Sequence, residues 1–147
     1  MIFFQVDAVP VAQPRQRHAV KFTKQDKAFV QNYLPGDDPV HAWKLQIQIL
    51  ARQAFCGNAP LEAVPISLSV KFLLPRPVSK KLPEDRSWYL SKPDLDNLVK
   101  AIKDALTGIV WKDDALVCRE LTSKEYAAAD ENPGAAVMIE VISTSQP

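Results

Sequence analysis

Two aspartates separated by one residue, Asp94 and Asp96, stand at the start of a stretch with helical periodicity. Lys100 follows Asp96 by four positions, and an acidic pair, Asp113 and Asp114, comes soon after the stretch ends. Carboxylates are ligands that Mg²⁺ takes in proteins, together with water and substrate phosphate. A metal held there would activate water for attack on phosphorus, and a lysine would stabilise the charge of the transition state. Residues of these types at this spacing could therefore carry out metal-dependent cleavage of a phosphodiester.

The same residue types also have structural explanations. An aspartate at the N-cap and another in the first turn are what any helix favours. Asp96 and Lys100 are four apart, so they could form an ordinary surface ion pair. Spacing alone favours these structural roles. Asp113 and Asp114 alter that balance, because a short return after the helix brings them near one of its ends.

A calcium-binding loop is excluded by the sequence itself. A loop that began at Asp94 would place Leu98 at its fifth position, Val99 at its sixth and Ala105 at its twelfth. An EF-hand requires an oxygen ligand, a glycine and a glutamate at those positions.

A helix predicted over residues 94–106, closed by Thr107 and Gly108, would present these groups. At about 100° per residue, one side carries only apolar side chains: Leu95, Leu98, Ile102, Ala105, Leu106 and Ile109. Asp96, Lys100 and Lys103 fall on the opposite, solvent-facing side. The helix should thus pack on a core and display the polar residues outward.

The remaining periodicities predict a sheet and a second helix. Alternation is clearest over residues 66–74, and further strands are expected over residues 2–9, 20–23, 116–127 and 136–143. A helix over residues 40–55 starts where Asp38 caps and Pro39 fits the first helical position. Residues 10–18 and 75–93 are predicted connections, the first basic and extended. The sequence therefore predicts an α+β fold, a mixed β-sheet with two main helices packed on it.

Size and composition limit the class of protein. The 147 residues, 47% of them hydrophobic, suit a single domain spanning 1–147 with its own core. A net charge of +1 gives no global support for a polyanionic partner, so any nucleic-acid site depends on local charge. Cys56 and Cys118 lie in no CxxC pair, and we expect two buried free thiols. Without a signal peptide or a spanning segment, we expect a soluble, cytoplasmic protein.

The run D-L-D-N-x-x-K-x-x-x-D-A-L over residues 94–106, followed by W-x-D-D over residues 111–114, resembles the core motif of the RusA family of Holliday-junction resolvases. The early segment Gln13-Pro14-Arg15-Gln16-Arg17 is similar to the Pro- and Arg-rich segment of that family. The resemblance is dense over residues 92–126 and looser elsewhere, with a compatible order of elements along the chain. It implies a RusA-like fold.

The resemblance also implies roles. Asp94, Asp96 and Asp114 would be catalytic, metal-binding carboxylates, and Lys100 would be the essential lysine. Asp113 is more in keeping with a turn residue or helper than with a ligand. The implied protein is a homodimer that uses Mg²⁺ or Mn²⁺ to cut four-way DNA junctions symmetrically in recombination and repair. Members of the family often come from phages or prophages.

Local basic runs supply candidates for contact with DNA phosphates. They are Arg15, Arg17, Lys21, Lys80, Lys81 and Lys92. Contacts of this kind would make binding strongly dependent on salt. Pro93 stands where some family members carry an arginine, so that a phosphate contact from that position would fall to Lys92.

Three other functions compete with junction resolution. The same site could cut other branched DNA, such as flaps or forks. The chain could bind branched DNA without cutting it, although intact Asp94, Asp96, Lys100 and Asp114 argue against that. It could also be an α+β interaction module in which the acidic motif only caps a helix.

Overall fold

A computed structural model of the chain describes residues 1–15, 17–25 and 27–145. Its elements follow in this order: β1 (Ile2–Val6), β2 (Arg17–Phe22), β3 (Ala28–Tyr33), α1 (Pro39–Ala54), β4 (Ile66–Leu74), β5 (Ser87–Trp88), α2 (Leu95–Leu106), a short 3-10 helix (Asp114–Leu116), β6 (Val117–Tyr126) and β7 (Gly134–Val141). Gln16, Gln146 and Pro147, which belong to predicted segments, lie outside the described residues. The predicted α+β class, with a mixed sheet and two main helices, is confirmed.

The strand predicted over residues 66–74 is the centre of the sheet. Within the described residues, the main sheet has the order β1-β7-β4-β6-β5, and β4 runs antiparallel to β7 but parallel to β6. Alternate side chains of β4 are buried: Ile66, Leu68, Val70, Phe72 and Leu74. Helix α1 packs against β1 and α2, and α2 packs against β6. Both helices therefore cover the face of the sheet to which these β4 side chains point.

Helix α1 begins and ends as the sequence predicts. Asp38 is its N-cap and accepts a hydrogen bond from the Val40 backbone N–H at 3.0 Å, and Pro39 occupies the first helical position. The helix buries Val40, Trp43 and Ile47. Its capping is therefore the ordinary one, which makes it a useful contrast to α2.

A hairpin extends the short strand predicted over residues 20–23 and includes the end of the connection predicted over residues 10–18, of which residues 10–15 form neither helix nor strand, as predicted. Strand β2 begins at Arg17 and pairs with β3, which was not predicted. The turn contains no glycine or proline. Instead, the Thr23 hydroxyl accepts hydrogen bonds from the backbone N–H groups of Gln25 and Lys27, at 3.3 and 3.2 Å. A threonine-closed turn gives a weaker sequence signal than a glycine turn, so the hairpin was missed.

The expectation of two buried cysteines was wrong. Cys56 and Cys118 are free, but both are exposed. Cys56 follows the end of α1 with a φ of 53°, in a surface turn. Cys118 lies on β6, and its thiol donates to the Leu116 carbonyl at 3.4 Å. Periodicity identifies the strand but does not say how far the helices extend over it.

Helices of the described chain are all too short or too polar to cross a membrane.

The Pro- and Lys-rich connection between β4 and α2 is tied to the sheet by two arginines. Arg76 donates hydrogen bonds to the carbonyls of Ala127 and Leu82, at 3.0 and 3.1 Å. Arg86 donates two hydrogen bonds to the Glu131 carboxylate, one of them from Nε at 2.8 Å. These contacts join the connection to the turn between β6 and β7. The short strand β5, also missed from sequence, completes the attachment.

The Arg86–Glu131 pair should make folding stability depend on acidity. The hydrogen bonds from Arg86, helped by one from the Ala128 N–H, lower the pKa of Glu131 from 4.5 to about 2. A carboxylate with a lowered pKa stabilises the folded state above its unfolded pKa, and that contribution is lost as pH falls from 4.5 towards 2. We expect the free energy of unfolding of wild type to exceed that of Glu131→Gln at pH 7. Urea unfolding should show the two values converging near pH 2.5, and a pH-independent difference would contradict the assignment.

Candidate active site

Asp94 occupies the N-cap of α2, but its carboxylate does not cap the helix. The backbone at Asp94 is extended, with φ −70° and ψ 142°, and its side chain accepts no hydrogen bond from the first turn. The carboxylate instead accepts a hydrogen bond from the ammonium of Lys92. That bond lowers the pKa of Asp94; burial opposes it, and the charges of Lys92, Lys124 and Arg15 lower the pKa further. The structural role expected for an N-cap aspartate is therefore absent here.

Asp96 lies in the first turn of α2 and is exposed. Its carboxylate forms no hydrogen bond or ion pair with the described residues, so the expected pair with Lys100 is not made. Lys100 faces Asp104 instead, with its Nζ 3.5 Å from the carboxylate oxygen, and Asp104 also meets Lys44 at 3.4 Å. An Asp96 carboxylate without a protein partner is available to a ligand.

The two adjacent aspartates after α2 have different surroundings. Asp113 is the N-cap of the 3-10 helix, and its carboxylate accepts a hydrogen bond from the Ala115 N–H at 2.8 Å. Asp114 is the first residue of that helix, and its carboxylate accepts no hydrogen bond from the described residues. Asp113 thus behaves as a turn residue, as the sequence suggested, while Asp114 is free to bind something else.

A pocket of about 570 Å³ lies along the seam between α2 and β6. Asp96 and Lys100 line it from the helix, and Asp114 lines it from the 3-10 helix. Asp94 stands next to the first turn of α2 but does not line the pocket. Three of the predicted site residues therefore share one pocket, and the fourth, Asp94, directly precedes the pocket residue Leu95 and is paired with Lys92.

Three polar residues that line this pocket were not among the predicted site residues: Lys103, Glu120 and Thr122. Glu120 of β6 lines it and accepts a hydrogen bond from Lys103 of α2 at 2.8 Å. Glu120 and Thr122 stand opposite Leu68 and Val70 of β4, so they point to the helix-covered side of the sheet. Alternation along β6 groups these two with Lys124, which is the signal that could have found them. To place these residues at the pocket, one must also know that β6 pairs with β4, and no pattern in a single sequence shows that pairing.

The donor set suits a hard divalent cation. Asp96 and Asp114 offer carboxylate oxygens that no described group occupies, in a pocket open to solvent and substrate. Among residues 1–15, 17–25 and 27–145, no three His, Cys, Asp or Glu side chains lie close enough together to hold one ion. An ion bound here would take one or two carboxylates and complete its shell with water and phosphate, which is the usual coordination of Mg²⁺.

The predicted phosphate-binding residues lie on separate surfaces. Lys21 is exposed on the hairpin, and Lys80 and Lys81 are exposed in the connection after β4. Lys92 instead contacts Asp94, and the charge of Arg15 also lowers the pKa of Asp94. The loop before Arg15 is tied to α2 by a hydrogen bond from the Gln13 N–H to the Asn97 carbonyl at 2.9 Å. The side chain of Arg17, a further candidate, lies outside the described part of the structure.

The chain is similar to known proteins over most of its length. The family model for endodeoxyribonuclease RusA matches residues 7–140. The chain is also similar to YqaN of Bacillus subtilis strain 168, described as an uncharacterized protein, with 33% identity over 154 residues that cover 97% of each chain. The family match includes every residue of the candidate site.

Proposed function

This chain belongs to the RusA family of endodeoxyribonucleases, and from that premise we propose that it resolves four-way DNA junctions by paired symmetric nicks in recombination and repair. Cleavage would depend on Mg²⁺ or Mn²⁺. We further propose that residues 1–147 form one RusA-like endonuclease domain that acts as a homodimer. A two-fold dimer would set two sites against opposed strands of a junction, which has the same symmetry.

The observation that carries this proposal is that the carboxylates of Asp96 and Asp114 have no hydrogen-bond partner among the described residues. Asp96 and Asp114 line one pocket with Lys100, and neither carboxylate serves the fold through a described hydrogen bond. Carboxylates that only stabilised helix ends would accept backbone N–H bonds, as those of Asp38 and Asp113 do. Acidic side chains without such a role, beside a lysine, suit a site that binds a cation and a phosphate.

Each residue has a role within the proposal. Asp96 and Asp114 would hold the metal, with Asp94 as the third carboxylate at the edge of the site. A bound Mg²⁺ supplies a water of lowered pKa and neutralises charge on the phosphoryl oxygens. Lys100 would place its ammonium against the negative charge of the transition state, and leave Asp104 to do so. The Lys100–Asp104 ion pair at 3.5 Å lies on the helix surface and contributes little free energy, so breaking it would cost little.

The proposed DNA surface combines the basic residues around Asp94 with more distant ones. Lys92 is paired with the carboxylate, and Arg15 is near enough for its charge to act on it; both would contact phosphates next to the scissile bond. Lys21, Lys80 and Lys81 are exposed and would contact flanking arms, as would Arg17. Phosphate contacts release counterions, so affinity should fall steeply as salt rises.

Cleavage of a synthetic four-way junction tests the proposal. Purified protein with Mg²⁺ or Mn²⁺ should nick the junction in paired, opposed strands, while a linear duplex of the same sequence stays intact and a chelator stops the reaction. Cleavage of a flap but not of the junction would show that the substrate is another kind of branched DNA. Binding without cleavage under every metal condition would make the chain a branched-DNA-binding protein. Absence of binding to branched DNA at low salt would rule out both enzymatic functions.

A further inference from the structure

We propose that Lys124 is a positioning residue that fixes the turn from which Asp94 is presented, so that the metal affinity of the site depends on it. Its ammonium donates hydrogen bonds to the carbonyls of Ser91 and Pro93, at 2.7 and 2.8 Å. These residues come directly before the Asp94 N-cap. The inference rests on the proposed function, since it concerns the same site.

The carbonyls of all three residues before Asp94 accept a side-chain hydrogen bond. Lys124 binds the first and third, and the Tyr89 hydroxyl donates to the middle one, the Lys92 carbonyl, at 3.0 Å. Neither helix nor strand supplies bonds to these carbonyls, because the segment lies between β5 and α2. The conformation of the turn is thus set by two side chains from outside it. Hydrogen bonds from a charged donor are roughly twice as strong as neutral ones.

The two donors are themselves held firmly. Lys124 lies on β6 opposite Phe72, a fully buried residue of β4. Its ammonium stands 5.5 Å from the centre of the Tyr89 ring, and that ring packs on Tyr126 with the ring centres 4.5 Å apart. The Tyr89 backbone N–H also donates to the Lys124 carbonyl at 3.2 Å. The assembly therefore connects the edge of the sheet directly to the start of α2.

Asp94 needs such an anchor because its own side chain does not fix it. An ordinary N-cap carboxylate is held by the first turn of its helix, and this one is not. Its only described side-chain partner is Lys92, whose side chain is 81% exposed and so only loosely held. The direction of the Asp94 carboxylate then depends on the backbone turn, and the turn depends on Lys124. The charge of Lys124 also acts on Asp94 directly.

Three variants test the role. Lys124→Met keeps most of the aliphatic stem and removes the donors and the charge. Lys124→Arg keeps the positive charge and several N–H donors. Lys71→Met is the matched control: Lys71 lies on the neighbouring strand β4 and points away from the helices, and its ammonium pairs with the Glu125 carboxylate at 3.7 Å.

The main measurement is Mn²⁺ binding by the protein alone, followed by water-proton relaxation without DNA. Loss of an outer-shell partner typically weakens metal affinity about 10–100-fold. We expect Lys124→Met to weaken Mn²⁺ binding in that range, and to raise the Mn²⁺ concentration for half-maximal junction cleavage by the same factor. Lys124→Arg should recover most of both, and Lys71→Met should match wild type.

Several outcomes would overturn the inference. One is equal Mn²⁺ affinity of Lys124→Met and Lys71→Met; another is a cleavage defect that follows thermal unfolding and leaves the metal dependence unchanged. If Lys124→Met does not fold, Tyr89→Phe, which removes a single hydrogen bond to the turn, should weaken Mn²⁺ binding in the same direction, and no change would refute the role. The proposed function fails separately: wild type would then cut no branched DNA, whatever the variants do to Mn²⁺ affinity.

Discussion

Replacing Asp96 with asparagine is expected to abolish cleavage of a four-way junction while leaving junction binding intact. Asparagine keeps the size of the side chain and removes the negative charge on which a metal ligand depends. Metal stabilisation of transition-state charge is worth several kcal/mol, and each ~1.4 kcal/mol is a factor of ten in rate. We therefore expect single-turnover cleavage to fall about 10³-fold or more.

The structure explains why this substitution should leave the fold intact. Asp96 is exposed, and its carboxylate makes no hydrogen bond or ion pair within the described chain. The expected loss is limited to the interaction of one charge with the helix dipole, about 0.3–1 kcal/mol. Binding to the junction should remain or tighten, since the variant removes a negative charge from the surface that we propose to face DNA.

Asp37→Asn is the matched control. It makes the same chemical change and the same change in net charge, in an exposed loop before α1. Both variants are compared with wild type by single-turnover cleavage in Mg²⁺, by gel shift of the junction in Ca²⁺, and by thermal unfolding. Retention of wild-type cleavage by Asp96→Asn would remove Asp96 from the site. Equal losses in both variants would point to net charge instead of a ligand.

Those features whose signal lies within a short stretch of chain were predictable. Helix α2 is one, because its apolar stripe and its closing Thr107-Gly108 pair are both local, and it ends at Leu106 as expected. Strand β4 has the predicted bounds because five alternating apolar residues have no competing interpretation. The family was identified from the same region, since its motif covers α2 and the turn that follows.

Other features depend on contacts between distant segments. The pairing of β6 with β4 determines that Glu120 faces the pocket, and nothing near Glu120 in sequence reports it. The hairpin of β2 and β3 packs little against the rest of the chain and has exposed apolar residues such as Phe22. Its strands therefore lack the alternation of apolar and polar residues from which strands are predicted. The state of Asp94 is the sharpest case. An aspartate before a helix predicts a cap, and only the structure shows that its carboxylate turns to Lys92.

The adjacent aspartates Asp113 and Asp114 should separate stability from catalysis. Asp113→Ala removes the carboxylate that accepts the Ala115 N–H bond, and loss of such a cap costs about 1 kcal/mol. Asp114→Ala removes no described hydrogen bond, so its stability should stay close to that of wild type. The expected effects on cleavage are the reverse of those on stability, because of the two aspartates only Asp114 lines the pocket with Asp96 and Lys100.

We therefore expect Asp114→Ala to lose junction cleavage by about 10³-fold with an unchanged unfolding midpoint in urea, and Asp113→Ala to unfold at lower urea while it keeps most of its cleavage activity. Cleavage is measured well below the unfolding temperature of both variants, so that loss of folded protein does not enter the rate. The opposite result, an inactive Asp113→Ala and an active Asp114→Ala, would show that Asp113 and not Asp114 serves in catalysis. The comparison is decisive because the residues are neighbours of the same type: any difference between them must come from where each carboxylate points.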